Sequence, residues 1–77
     1  MAKDRTIKNT VRVWNNNRIT WEQDFDTAEE AHKEFEAIVD NWENHGVPNK
    51  TITVTRYRQW ETDDHEMLMV LKDVTAK

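Results

Sequence analysis

At 77 residues the chain is sized for one domain with one small core, since a fold of this length buries only about 60% of the surface its unfolded chain exposes. It has no cysteine and no serine, which excludes disulfides, thiolate metal sites and the commonest nucleophiles, so packing alone must hold the fold. A formal charge of −4 argues against bulk nucleic-acid binding, and the 4 tryptophans must carry much of the stabilisation.

The first residues, MAKDRTIKNT, include basic side chains but no apolar run behind them, and residues 1–5 are expected to fray. No apolar stretch is long enough for a signal peptide or a membrane span, so the reading is a cytoplasmic protein with no membrane partner, one domain over 1–77. The sequon Asn49-Lys50-Thr51 is then a chance match.

Residues 6–14 alternate through Ile7, Val11 and Val13, and residues 18–25 alternate again through Ile19, Trp21 and Phe25. Between them Asn15-Asn16-Asn17 tolerates turn and left-handed conformations, which predicts a hairpin. Asp26 with Glu29, or Thr27 with Glu30, then has capping-box spacing. The helix that follows carries the stripe Ala28, Ala31, Phe35, Ile38, Val39, Trp42, apolar at i, i+3 and i+4. Gly46 is expected in a left-handed conformation just past its end, Pro48 prevents continuation, and His45 favours the helix dipole.

The run 51–60, TITVTRYRQW, is dense in β-branched and aromatic residues and predicts the best strand of the chain. A polar loop over 61–65 precedes Met67-Leu68-Met69-Val70-Leu71, apolar at both parities, the pattern of a strand buried on two sides and placed inside the sheet. The order is ββαββ. It predicts an α+β two-layer domain, a four-stranded, mainly antiparallel sheet with one helix packed on one face, strands two and three running in the same direction.

One helix covers one face, so parity sorts the rest. Val11, Val13, Ile19, Trp21, Phe25, Ile52 and Val54 fall on the helix side, while Arg12, Trp14, Thr20, Thr53, Thr55 and Tyr57 fall on the uncovered side. The last strand adds to that open side either Met67, Met69 and Leu71, or Leu68 and Val70. A partner-binding set of Arg12, Trp14, Tyr57, Met67 and Met69 follows, since Trp, Tyr, Arg and Met are enriched at interfaces. The structural alternative is that Trp14 packs across Thr20 and stabilises the hairpin.

Glu29, Glu30, Glu34, Glu36 and Asp40 make the helix surface acidic, with Lys33 among them. Such a face is a solvated helix surface or a docking surface for a basic partner, including mimicry of a nucleic-acid backbone. Arg12, Arg18, Lys50, Arg56 and Arg58, interleaved with Trp14, Tyr57 and Trp60, form either cross-strand ion pairs or a single-strand stacking platform, though no RRM-type motif accompanies them.

Catalytic chemistry is not legible: the threonines have no nearby activating base, one glycine cannot build a phosphate-cradling loop, and His32 reads as a boundary residue of the helix stripe. Asp63-Asp64-His65-Glu66 matches no calcium-loop or zinc spacing and reads as a solvated turn, so no metal or cofactor is expected. In being small, acidic, cysteine-free and without chemistry, the chain resembles small phage or mobile-element proteins that bind and block a larger target. That character implies a non-enzymatic interaction protein, an inhibitor or regulator, acting on a larger protein or by homodimerising through the open sheet face.

Overall fold

The computed structural model describes residues 7–60 and 65–77, the side chain of Trp60 excepted. The fraying expected of residues 1–5 and most of the polar loop over 61–65 lie outside these. The elements are β1 (Ile7–Asn15), β2 (Arg18–Phe25), α1 (Ala28–His45), β3 (Thr51–Trp60) and β4 (Glu66–Thr75). They form the α+β, ββαββ fold: one 4-stranded antiparallel sheet in the order β2-β1-β3-β4, with the helix packed against one face. Because β1 is antiparallel to both β2 and β3, strands two and three share a direction.

Local chemistry explains the elements. Asn16 and Asn17 both take positive φ (56° and 66°), the geometry of a two-residue turn whose twist matches the strands it joins. Thr27 caps the helix, its Oγ1 accepting from the Glu30 backbone N–H at 3.1 Å and donating to the Glu30 carboxylate at 3.2 Å. Gly46 is not left-handed: its φ is −81°, and the reason for glycine is space, since a Cβ there would lie 2.4 Å from Cδ2 of Trp42. That tryptophan folds back over the helix end and donates from Nε1 to the Lys50 carbonyl at 3.0 Å.

The core is Val11, Ala31, Phe35, Val39, Ile52, Val54 and Val74, with Val13, Phe25, Ile38, Trp42 and Val70 packed around it. Val74 enters because β4 runs on through Lys72 and Asp73, beyond the apolar run that marks its start. Ala76 is buried too, and its N–H and C=O bond to Lys50 and Asn49.

β4 is an edge strand and does not lie inside the sheet, because β1 and β3 take the two central places. Its double-sided apolar pattern has another cause, a bulge. The register runs Arg56 with Val70, then Tyr57 with Leu68, leaving Met69 without a partner. A second bulge sits at Thr20, between the pairs Val13 with Trp21 and Trp14 with Ile19, and the Thr20 hydroxyl donates to the Val13 carbonyl at 3.2 Å. Ile19 therefore stands opposite Trp14 on the uncovered face, not on the helix side as unbroken alternation predicts.

Candidate functional site

Residues directly opposite in an antiparallel ladder share a face, so the registers write the uncovered face as rows across the strands. One row is Ile19, Trp14, Thr53, Asp73; the next is Glu22, Arg12, Thr55, Leu71; the third is Asp24, Thr10, Tyr57, Leu68. Arg12, Trp14 and Tyr57 thus meet on the open face as the sequence predicts. Met67 does not join them: it lies opposite Arg58 on the helix side, and Met69 occupies the bulge. Leu68 and Leu71, drawn from the two alternative sets, are the apolar side chains that β4 gives to this face. Unbroken alternation hides them, because it sets residues three apart on opposite faces.

The centre of the face is tied together. Arg12 donates from Nε to Glu22 and, as a two-pronged fork, from Nη1 and Nη2 to the two carboxylate oxygens of Glu66 at 3.0 and 2.6 Å. Its guanidinium lies over the Tyr57 ring, 4.5 Å from the centroid. The hydrogen bond to Glu66 leads in holding the Arg12 pKa well above its ordinary value, against the opposing effect of burial. Around this clamp the rows are stitched by Thr10 to Asp24 (2.8 Å), Trp14 Nε1 to Thr55 (2.9 Å) and Thr53 to Asp73 (2.6 Å). Trp14 therefore stands opposite Ile19 and bonds across to Thr55, and does not pack over Thr20 as unbroken alternation predicts, because the bulge takes Thr20 out of the ladder.

Two features remain open to solvent. Leu68 and Leu71 are 48% and 55% exposed beside Tyr57 and Thr55, and Ile19 is 44% exposed beside Trp14. Above Thr53 and Thr55 is a hollow of about 610 Å³, bordered by Trp14, Tyr57, Leu71, Asp73 and the turn asparagines Asn16 and Asn17.

Of the other basic residues of the strands, Lys8 stands opposite Gln59 on the open face, 3.9 Å from Asp24, while the remaining arginines are placed elsewhere. Arg56 stands opposite Val11 on the helix side and donates to the Ala28 carbonyl at 3.3 Å, and Arg58 stands opposite Asn9 on the same side. The acidic set Glu29, Glu30, Glu34, Glu36 and Asp40 lies on α1 around the buried stripe Ala31, Phe35, Val39, on the far side of the molecule from the Trp14 face. Of the Asp63-Asp64-His65-Glu66 cluster, Asp63 and Asp64 lie outside the described residues, and Glu66 serves the Arg12 clamp. Among the described residues no helix is long and apolar enough to cross a membrane. Comparison with protein-family models, with curated proteins and with solved structures finds no match to the chain.

Proposed function

We propose that the chain is a non-enzymatic protein-interaction module, a small inhibitor or regulator that docks a larger protein through its uncovered sheet face. The observation that carries this reading is the exposed pair Leu68 and Leu71, the first beside Tyr57 and the second bordering the same hollow as Trp14, on the one face the helix leaves bare. Large aliphatic side chains next to half-buried aromatics are the makings of an interface centre, and a lone soluble domain gains nothing from exposing them.

Charge favours a foreign partner over a second copy. Glu22, Asp24, Glu66 and Asp73 rim the face, and the cations described there are already matched, Arg12 to Glu22 and Glu66 and Lys8 to Asp24, which leaves the face net acidic. Two such faces laid together would set acid against acid, whereas a basic rim on another protein would complement it. The edges favour face contact over strand addition, because β2 and β4 each carry a bulge that twists the edge away from a regular ladder.

The test compares the wild type with Leu68→Glu/Leu71→Glu and Glu34→Lys/Glu36→Lys, by sedimentation and by affinity capture of the target. The expected result is a monomer whose target is lost only with the leucine pair and retained in half-molar salt. Loss of target with the helix pair alone would assign docking to the acidic helix. A wild-type dimer broken by the leucine pair would make the partner a second copy.

A further inference from the structure

We propose that the hollow between Trp14 and Asp73 is a receptor for an arginine side chain presented by the docked partner; the inference deepens the docking reading and rests on it. Trp14, Thr53 and Asp73 stand in one row on β1, β3 and β4, so the aromatic and the carboxylate are two strand spacings apart, about 10 Å between backbones. The residue between them is a short threonine. The row is therefore a trough with a ring on one bank and a carboxylate on the other, continued along its floor by Thr55 and closed at the side by Leu71.

The chemistry of the lining selects the ligand. Among the described residues Asp73 is the single formal charge bordering the hollow, no lysine or arginine borders it, and the remaining polar groups are threonine hydroxyls, the tyrosine and two asparagine amides. An anion meets nothing there to neutralise it, and a purely apolar group would strand the carboxylate. A cation with a flat head on an apolar stem satisfies both banks.

The molecule already demonstrates this arrangement one row away. Arg12 lies over the ring of Tyr57 with its fork on the Glu66 carboxylate and its Nε on Glu22. The Trp14 row offers the same two parts, an indole and a carboxylate, with no guanidinium of its own. Asp73 is oriented for the purpose, since Oδ1 accepts from Thr53 Oγ1 at 2.6 Å and keeps the carboxylate along the row. Trp14 is likewise held, its Nε1–H bonded to Thr55. Guanidinium is favoured over ammonium because its plane stacks on a ring while its fork matches a carboxylate, which a point charge cannot do at once.

The experiment needs no partner protein, so its outcome is separate from that of the docking reading. The probe is N-acetyl-arginine methylamide, titrated against 15N-labelled protein, with the citrulline and lysine counterparts as controls. The readout is the Trp14 indole N–H resonance, assigned by its absence in Trp14→Phe, together with the amides of Asn16, Asn17 and Thr53. The expected result is a saturable shift of this set with arginine, weaker by threefold or more with lysine and by tenfold or more with citrulline, and weakened at least fivefold by Asp73→Asn. Citrulline equal to arginine on the wild-type protein would overturn the inference without any variant. Absence of a saturable shift, an unchanged affinity in Asp73→Asn, or shifts confined to the helix around Glu29 to Asp40 would overturn it as well.

Discussion

Replacing Arg12 by methionine keeps an apolar stem of similar reach and deletes the guanidinium that joins β2, β1 and β4. The Arg12 side chain is 16% exposed, while Glu22 and Glu66 are 44% and 30% exposed. On loss of the cation both carboxylates can turn to water, so the large penalty for stranding a buried charge is avoided. What is lost is one exposed pair, worth at most about 1 kcal/mol, a forked charged hydrogen bond of roughly 1.5 kcal/mol at this exposure, and the stacking on Tyr57 of about 0.5 kcal/mol. The methionine recovers some of this by burial, leaving a net cost of about 2 kcal/mol. For a domain of this size each kcal/mol moves Tm by roughly 4–8 °C, so Arg12→Met should melt about 8–16 °C below the wild type.

Thermal unfolding followed by circular dichroism measures the shift, and a double-mutant cycle with Glu66→Gln isolates the fork. The coupling between Arg12 and Glu66 should exceed about 1 kcal/mol, and Arg12→Lys should recover less than half of the loss, because an ammonium cannot bridge two edges of a sheet. Half-molar salt should weaken the coupling without abolishing it, since the carboxylates are partly exposed while the Arg12 side chain is mostly covered. A variant melting within about 3 °C of the wild type, or full rescue by lysine, would refute the clamp as a structural tie.

Gly46→Ala should destabilise by about 1–3 kcal/mol, because the added methyl must displace the Trp42 indole, which also endangers its bond to Lys50; chemical denaturation checks this, and a neutral effect would show that the indole moves freely. Thr27→Ala should cost about 1 kcal/mol through the lost cap, with Thr27→Ser restoring most of it in the same assay. Deleting Met69 should remove the bulge and regularise the β4 edge, so the variant should associate or aggregate with rising concentration in sedimentation while the wild type does not; an unchanged monomer would show that the bulge plays no part in guarding the edge.

The element order, the hairpin turn, the helix cap and the buried stripe were legible in the sequence because each is written in neighbouring residues: the asparagines that tolerate positive φ, Thr27 three before Glu30, the recurrence of Ala31, Phe35 and Val39. The clamp was not legible, since Arg12 and Glu66 are 54 positions apart and only the strand order brings them together. Nor was the length of β4, whose Lys72 and Asp73 interrupt the apolar run although they alternate in step with Val74.

The bulges are the more instructive failure. Alternation assigns faces only while the ladder is unbroken, and one extra residue reverses every assignment beyond it. At Thr20 this brings Ile19 beside Trp14; at Met69 it sets Leu68 and Leu71, three apart, on one face. Both bulges fall on edge strands, where they do two things at once. They spoil the regular backbone ladder that a foreign strand would need, and they turn apolar side chains from both edges toward the uncovered face. The run that looked doubly buried is thus an exposed edge strand that turns Leu68 and Leu71 together to the uncovered face while Met67 and Val70 stay on the helix side. That is the physical reason to seek the partner above the sheet and not along its edge.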